Sequence, residues 1–412
     1  TRTSTTMALP TAQAAAQAAA KSAFTPRQFF DASSSITRSY FLGHHNAALN
    51  RMRRVLSNVG LVVECRDIRV PLTSWNPMLE SSLMYNTDFR ERKPSPLPSS
   101  SSSSPPSTSQ TTNANTFTGG ANTTGGRARI IVYTHRDLID PSASKRLTTT
   151  LRAFHQRELN TVTLFHGTGT ETRDTKRLLA EVRNVAHSQH SLTGLRALVV
   201  GMPNAGKSTL LNRMRTHGAE GSGVSVAKVA RTGAEPGVTR KLGTPVRILP
   251  ADEHSEGVYL LDTPGVFVPF VPEAESMLKL ALVGCVKDGL ISWVTVADYL
   301  LYHLNLHDPT GQVYADYCEE PTNDVHVFLK GVARRTGKLV KGSGESMEAA
   351  ADWVVRRWRN GGLGRFVLDT VNEETLAQAR RKSLEPPLSM NQARKRDKED
   401  RRDRAAAKNA GR

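Results

Sequence analysis

Residues 201–208 carry the clearest chemical signature in the sequence. The segment reads Gly-Met-Pro-Asn-Ala-Gly-Lys-Ser. It follows an apolar run that ends at Val200, and a helical pattern begins near Thr209. Glycines let backbone N–H groups converge on phosphate oxygens, and the N-terminus of the following helix adds its dipole. The spacing therefore predicts a nucleotide phosphate-binding loop (P-loop), in which Lys207 neutralises the outer phosphates and Ser208 binds Mg²⁺.

A second motif, Leu260–Gly265, follows the P-loop along the chain. Its sequence Leu-Leu-Asp-Thr-Pro-Gly predicts a buried strand that ends in an acid and then turns. In that setting Asp262 binds Mg²⁺ through water, and the Gly265 N–H contacts the γ-phosphate. Thr239, in the intervening segment Pro-Gly-Val-Thr-Arg, is the predicted switch threonine that completes Mg²⁺ coordination. A single threonine in a polar loop is also consistent with an ordinary loop.

A guanine nucleotide needs a base-binding residue, normally the Asp of an Asn-Lys-x-Asp motif after a strand. No such motif follows Asp262. The candidate lies upstream, where Tyr-Thr-His-Arg-Asp-Leu leaves an apolar run at Tyr133. Asp137 fits the acidic position, whereas Thr134 and His135 replace the usual Asn and Lys. A surface loop explains this short segment equally well, so the choice of base stays open. The predicted nucleotide contacts are Thr134, His135, Asp137, Pro203, Asn204, Ala205, Gly206, Lys207, Ser208, Thr209, Asp262 and Gly265.

Six short apolar runs rich in β-branched residues supply the elements that must position these motifs. Such runs are typical of buried parallel strands, and the helical patterns between several of them predict an α/β sheet with right-handed crossovers. After Pro272 the predicted elements are helices, over 275–287, 290–305, 324–335 and 347–359. The six strand runs are 61–65, 130–133, 162–165, 197–200, 246–249 and 258–261.

Composition divides the chain into five predicted regions. Residues 1–36 lack order-promoting patterns, and the first thirty contain no acid, as in a mitochondrial presequence, although a plain disordered tail fits as well. A nucleotide-binding domain covers 37–271, with a disordered Ser/Thr/Pro-rich insertion at 94–126. A helical RNA- or ribosome-binding domain covers 272–386, and a basic tail covers 387–412.

Positive charge is concentrated at the two ends of the chain. Residues 1–60 carry seven Lys/Arg against one acid, residues 330–412 carry 21 against 11, and the whole chain has a net charge of +17. Basic ends around a near-neutral middle suggest an anionic partner such as nucleic acid, although solubility alone is an equal explanation. The three cysteines form no metal or disulfide pattern, which favours a reducing compartment. The sequence predicts no transmembrane segment.

The order of the motifs resembles that of the circularly permuted GTPases of the YlqF/RbgA family, including its mitochondrial branch. In that family, as here, the base motif precedes the P-loop, the switch threonine and Asp-Thr-Pro-Gly, and helices follow. Four further segments resemble family signatures, and the resemblance extends from about Tyr40 to Leu368. The four segments are Phe41–His44, Val63–Pro77, Leu278–Gly284 and Trp358–Arg365.

The resemblance implies a circularly permuted P-loop GTPase domain with a mostly parallel sheet, followed by a smaller, mainly α-helical domain. It implies slow hydrolysis of GTP with Mg²⁺, and K⁺ bound by Asn204. Val266 stands where many GTPases have a water-orienting Gln. The resemblance implies that His44 orients the water instead. The implied catalytic set is therefore His44, Lys207 and Thr239, and the implied metal ligands are Ser208, Thr239, Asp262 and Asn204.

The resemblance also implies a large ribosomal subunit and its rRNA as partners. The expected protein is a monomer of the mitochondrial matrix, with the periphery of the inner membrane as a further contact. Basic residues near Trp353 and Trp358 suit rRNA, while the two rings fit the core of an amphipathic helix. Two other functions stay open: a nucleotide-insensitive RNA-binding scaffold with a vestigial GTPase fold, and a GTPase switch that acts on protein partners.

Overall fold

The computed structural model describes most of the chain that the sequence predicts to be folded. Within that part, each helix is too short or too polar to span a bilayer. Predictions for the insertion at 94–126 and for nearly all of the tail lie outside the described residues. The described residues are 24–33, 36–38, 43–77, 79, 127–158, 160–189, 191, 193–219, 244–268, 271, 273–340, 344–384, 392, 395, 398, 399 and 402, with the side chains of 43–47 and 340 excluded.

Contacts between residues divide the chain into two compact units. The sheet unit comprises residues 32–291 and 365–412, and the helical unit comprises residues 1–31 and 292–364. The helical unit is thus inserted into the sheet unit, and the chain returns to the sheet unit after Gly364.

The sheet unit contains a six-stranded sheet with the order β3-β2-β1-β4-β6-β5. Neighbouring strands are parallel, except that β5 is antiparallel to β6. This confirms the predicted α/β fold, and all six predicted strands are present. Their bounds are β1 Leu61–Asp67, β2 Ala128–Thr134, β3 Thr161–Phe165, β4 Leu195–Gly201, β5 Val246–Leu249 and β6 Val258–Asp262.

Parallel pairing brings the predicted motifs to one edge of the sheet. The strands β1, β2, β4 and β6 lie side by side, and a predicted motif spans the carboxyl end of each. In open α/β sheets, ligands bind outside this edge, at the point where the strand order reverses. Here the order reverses between β1 and β4, so the P-loop after β4 lies at that point.

Helices from distant parts of the chain pack on the sheet. On one face, α1 (Gly43–Val55) supplies Ala48, Leu49 and Met52 to a core with Leu198 and Val266. On the same face, α2 (Pro141–His155) and α9 (Glu373–Leu384) pack beside β2. The helices α3 (Glu171–Gln189), α4 (Lys207–Gly218) and α5 (Ala274–Leu282) complete the unit. Helix α9 was not predicted from the sequence, although Asn372 caps its N-terminus by accepting a 2.8 Å hydrogen bond from the Thr375 N–H.

The helical unit consists of α6 (Trp293–His307), α7 (Val325–Thr336) and α8 (Met347–Arg359). A short antiparallel hairpin joins α7 to α8, and each of its strands has two residues: β7 (Leu339–Val340) and β8 (Gly344–Glu345). This hairpin departs from the prediction that strands stop after Pro272. Trp358 is buried, as predicted, whereas Trp353 is half-exposed beside Tyr317.

An N-terminal segment, Phe24–Asp31, packs on the helices of the same unit. The Arg27 guanidinium forms a 2.7 Å ion pair with Asp298, and the ring of Phe30 meets that of Tyr299 edge-on. Asn323 donates a hydrogen bond to the Thr25 carbonyl. These contacts differ from the expectation of a disordered segment through residue 36, because aromatic and charged partners on α6 hold it.

Two further boundaries differ from the sequence-based ones. The helix predicted over 275–287 ends at Leu282, since Gly284 adopts a positive φ of 84°. The predicted helical domain of 272–386 is divided, since α5 and residues 365–384 group with the sheet unit. The reason is local packing: Leu376 lies in the sheet core, and Leu368 donates a backbone hydrogen bond to Arg69.

Candidate functional site

The P-loop connects β4 to α4 through a backbone that requires unusual torsion angles. Gly201, Asn204 and Gly206 have φ values of 147°, 57° and 81°. A Cβ on Gly201 would lie 2.3 Å from the Cys65 carbonyl oxygen, so only glycine allows β4 to end against β1. Gly206 caps the N-terminus of α4, which directs the first N–H groups of that helix toward the loop.

Lys207 is buried at the first position of α4. Its Nζ donates a 2.7 Å hydrogen bond to the Met202 carbonyl, across the loop. Burial lowers the pKa of Lys207, and the nearby Asp262 partly offsets this effect. The ammonium group is therefore held inside the loop, where an anionic ligand would favour its charged form.

Ser208 and Asp262 form the contact between the P-loop and the end of β6. The Ser208 hydroxyl donates a 2.7 Å hydrogen bond to Asp262 Oδ2. Burial raises the pKa of Asp262, while the Ser208 hydrogen bond and Lys207 oppose that rise. The buried Asp262 Oδ1 receives no hydrogen bond within the described part of the chain. A hydroxyl beside a buried carboxylate with a spare oxygen is a donor set that fits Mg²⁺.

The Asp-Thr-Pro-Gly turn packs directly on the P-loop. A Cβ on Gly265 would lie 2.5 Å from the Pro203 Cα, so the two backbones touch. Val266 donates a 3.2 Å backbone hydrogen bond to Gly201, and its own carbonyl accepts a 2.9 Å hydrogen bond from Asn76 Nδ2. Asn76 was not among the predicted site residues. Its Asn-Pro pair belongs to a segment that resembles a family signature, but the spacing alone does not indicate which backbone group it holds.

Thr134 ties the base motif to the P-loop. Its Oγ1 lies 3.1 Å from the Ala205 carbonyl, 3.1 Å from the Arg66 carbonyl and 3.0 Å from His135 Nδ1. His135 adopts a φ of 60°, and its Nδ1 is 3.2 Å from Asp67. The two residues that depart from the usual Asn-Lys pair thus connect β1, β2 and the phosphate loop.

Asp137 is held by the loop that follows β3. Its Oδ1 accepts from the Thr168 N–H at 3.0 Å, and its Oδ2 accepts from the Thr168 hydroxyl at 2.6 Å. Burial would raise the pKa of Asp137, but the hydrogen bonds from Thr168 outweigh it and lower that pKa. Thr168 was not a predicted site residue, since His166-Gly167-Thr168 has no recognisable signature. The structure brings it to the predicted base-binding carboxylate.

Asn204 links the P-loop to the loop after α5. Its Nδ2 donates a 2.7 Å hydrogen bond to the Gly284 carbonyl. This contact orients the side-chain amide of Asn204. A carbonyl-type oxygen at this position is compatible with a monovalent cation near the phosphates.

Two predicted catalytic residues have no described side chain. Thr239 lies outside the described residues. His44 lies in the first turn of α1, one helical turn before Ala48, but its side chain is not described. The remaining predicted residues occupy one edge of the sheet. Thr134 ends β2, and His135 and Asp137 follow it; residues 203–209 follow β4; Asp262 ends β6, and Gly265 follows it. Residues 203–209 include Pro203, Ala205 and Thr209.

The chain is similar to known GTPases. A family model described as "50S ribosome-binding GTPase" matches residues 196–322. Mitochondrial GTPase 1 of Schizosaccharomyces japonicus is 34% identical over 82% of this chain and 92% of the relative. Mitochondrial ribosome-associated GTPase 1 of Xenopus tropicalis is 28% identical over 83% of this chain and 98% of the relative. The crystal structure of GNP-bound YlqF from T. maritima aligns with a TM-score of 0.42 and 20% identity, over 78% of this chain and 97% of that one.

Proposed function

Because this chain belongs to the mitochondrial GTPase 1 family, we propose that it is a GTPase that assists assembly of the large ribosomal subunit in mitochondria. The names of its relatives support a ribosomal partner. Binding of rRNA and release of the protein on GTP hydrolysis are the finer parts of the proposal.

One observation carries the GTPase assignment. The carboxyl edge of the sheet gathers a P-loop lysine, a Ser–Asp pair and a fixed base-motif carboxylate, which are the groups that a Mg²⁺–GTP site requires. Ser208 and Asp262 would hold the metal, and Thr239 would complete its coordination. Bound Mg²⁺ supplies positive charge to the phosphate oxygens. Thr134 ties the base motif to the P-loop. Asp137 in that motif is the proposed guanine-binding residue.

The attacking water needs an orienting group that Val266 does not supply. Val266 is fully buried, and its side chain offers no hydrogen bond. Helix α1 packs in the same core cluster as Val266, through Ala48 and Leu49, so the N-terminal turn of α1 belongs to this part of the molecule. His44 in that turn is the proposed water-orienting residue.

The test of this role compares two adjacent histidines. His44→Ala should lower kcat by about a hundredfold, within the range of one general base, while GTP affinity stays unchanged. His45→Ala is the matched control, since it changes the neighbouring residue in the same turn. Equal losses of kcat and of GTP affinity in the His44 variant would exclude an orienting role.

Asn204 is the proposed ligand of a potassium ion. Its amide is oriented by Gly284, which supports a fixed oxygen beside the phosphates. A bound K⁺ supplies a positive charge near the β- and γ-phosphates. Hydrolysis should therefore be faster in K⁺ than in Na⁺ at equal ionic strength. Equal rates in the two salts would contradict this part of the proposal.

The helical unit offers a basic and aromatic surface for rRNA. The guanidinium carbons of Arg356 and Arg359 lie 5.7 and 5.6 Å from the ring centroid of Trp293, and that of Arg357 lies 5.9 Å from Trp353. Arginine beside half-exposed tryptophan suits RNA, because phosphates contact the cations and bases stack on the rings. Arg357→Glu should weaken RNA binding and lower its salt dependence.

The decisive experiment measures steady-state hydrolysis of GTP and ATP, with and without purified mitochondrial large ribosomal subunits. Slow, GTP-selective hydrolysis that accelerates with subunits is the expected result. RNA binding that ignores nucleotide, together with no base preference, would instead favour a vestigial GTPase fold. Acceleration by a protein partner but not by subunits would favour a protein-directed switch.

Location and assembly state complete the proposal. We expect a monomer in the matrix with contact to the periphery of the inner membrane. Gel filtration with light scattering checks the mass. Extraction of mitochondrial membranes with carbonate checks the peripheral contact, since a peripherally bound protein should be released and an untethered one should already be in the matrix fraction.

A further inference from the structure

Asp369 holds the turn that follows β1. Its Oδ2 accepts hydrogen bonds from the backbone N–H groups of Leu72 and Thr73 at 2.9 and 2.8 Å, and its Oδ1 accepts from the Thr73 hydroxyl at 2.6 Å. Lys279 Nζ lies 3.4 Å from the same Oδ1, and the Asp369 side chain is only 4% exposed. Hydrogen bonds to a buried carboxylate are among the stronger ones in proteins. The turn is therefore fixed by a residue nearly 300 positions away.

The turn held by Asp369 leads directly to the candidate nucleotide site. Three residues after Thr73, the Asn76 amide donates to the Val266 carbonyl, while the Val266 N–H donates to Gly201. Val266 follows Gly265, whose backbone rests on Pro203 of the P-loop. The position of the Gly265–Val266 peptide thus depends on the turn that Asp369 holds.

A second connection runs through Lys279. This lysine lies on α5, and the loop after α5 contains Gly284, which accepts the hydrogen bond from Asn204 of the P-loop. Asp369 therefore contacts both segments that support the site, the turn with Asn76 and the helix before Gly284. It also lies five residues after Gly364, where the chain leaves the helical unit.

We propose that Asp369 is a positioning residue for the turn that contacts the γ-phosphate. It acts through Thr73 and Asn76 on the Gly265–Val266 peptide, and so determines how well the protein distinguishes GTP from GDP. The inference rests on the proposed function, because only a GTP site has a γ-phosphate to contact. A purely structural role would affect both nucleotides alike, since the P-loop binds the phosphates that GTP and GDP share.

The test measures the affinities of the full chain for fluorescent GDP and for a fluorescent non-hydrolysable GTP analogue, with Mg²⁺, and kcat for GTP. Asp369→Ala should weaken the GTP analogue about tenfold and lower kcat by a similar factor. GDP affinity should change by less than about twofold, the scale of an unaffected site. Thr73→Val removes one of the three hydrogen bonds and should shift the same two quantities by a smaller factor.

The matched control is Asp252→Ala. Like Asp369, Asp252 is an aspartate of the sheet unit that accepts a hydrogen bond from a backbone N–H. Its partners are the His254 N–H and the His187 ring, which lie away from the nucleotide loops. This variant should leave kcat and both affinities unchanged. A change equal to that of Asp369→Ala would overturn the inference.

A double-mutant cycle tests the path through Asn76. If Asp369 acts through the turn, Asn76→Ala should have the same selective effect, and the double variant should be little worse than either single one. Fully additive effects, or an equal loss of GDP and GTP-analogue affinity, would overturn the inference. Failure of the proposed function is distinguishable, because the wild-type protein itself would then show neither GTP hydrolysis nor selective GTP binding.

Discussion

At the scale of single residues, the candidate site contains buried charges that the folded chain alone does not favour. Burial raises the pKa of Asp262 and lowers the pKa of Lys207, so both shifts favour the neutral forms. A bound Mg²⁺–nucleotide complex would bring a cation to Asp262 and phosphates to Lys207, and would favour the charged form of each. The site is therefore built for binding, at a cost in the stability of the free protein.

Asp262→Asn should separate the effect of Asp262 on the stability of the free protein from its effect on Mg²⁺-dependent GTP binding. Because the folded pKa of Asp262 lies above its unfolded value of 3.8, the free protein loses stability from this group as the pH rises above 3.8 and through the folded pKa. Its removal should raise the unfolding free energy of the nucleotide-free protein by about 1 kcal/mol. The same variant should lose Mg²⁺-dependent GTP binding. Urea unfolding and fluorescent-nucleotide titration check the two outcomes, and a less stable free protein would contradict the prediction.

At the scale of elements, a buried ionic cluster joins the central strands to α2. Arg129 on β2 lies 2.5 Å from Glu64 on β1 and 3.2 Å from Glu158 after α2, and Arg66 lies 2.7 Å from Glu64. Burial opposes ionisation of Glu64, but Arg129 and Arg66 outweigh it and lower the pKa to about 2. Burial likewise opposes ionisation of Glu158, but His155 and Arg129 outweigh it and lower its pKa to about 2.

The cluster predicts a specific pH dependence of stability. Both carboxylates have folded pKa values below the unfolded 4.5, so their contribution is full above about pH 4.5 and is lost as the pH falls toward 2. Glu64→Gln should cost about 3–5 kcal/mol at pH 7, because it leaves Arg66 and Arg129 without their shared carboxylate. The difference from wild type should shrink between pH 4.5 and pH 2. Urea unfolding at several pH values measures this difference.

Glu253→Gln is the control for this series. Glu253 is an exposed acid on the turn between β5 and β6, outside the cluster. Its replacement should change neither the stability at pH 7 nor the acid dependence. An acid dependence of Glu64→Gln that equals that of wild type would mean that other groups govern the loss of stability.

At the scale of the whole molecule, the chain passes between the two units three times: from the helical unit to the sheet unit, back to the helical unit, and again to the sheet unit. Residues 24–31 already belong to the helical unit, although most of that unit comes from residues 292–364. Arg27, Phe30 and Thr25 bind α6 and the turn before α7. A segment with these contacts is part of the folded unit.

Any removable presequence should therefore end before Thr25. The N-terminal peptide of the protein purified from mitochondria, identified by mass spectrometry, should retain Thr25–Asp31. A mature protein that begins beyond Thr25 would contradict the prediction.

Arg27→Ala should destabilise the helical unit only modestly, by less than about 1 kcal/mol from the partly exposed ion pair. Thermal unfolding of the full chain measures that change.

The sequence by itself determined the features that depend on neighbouring residues. The six strand runs, the P-loop and the Asp-Thr-Pro-Gly turn are local patterns, since they arise from short runs of β-branched apolar residues, glycine torsion angles and the start of a helix. The order of these motifs was also sufficient for the family assignment. Predicted helix ends were less accurate, as at Leu282, because a single glycine at positive φ ends the helix before the apolar pattern does.

Only the tertiary structure decided which distant residues support the site. Thr168 holds Asp137 from 31 positions away, Asn76 holds Val266 from 190 positions away, and Asp369 holds Thr73 from 296 positions away. Each of these contacts consists of one or two hydrogen bonds between residues far apart in the sequence, so no local spacing marks it. Such contacts form because the sheet order and the return of the chain after Gly364 bring the partners together. That depends on the packing of the whole chain.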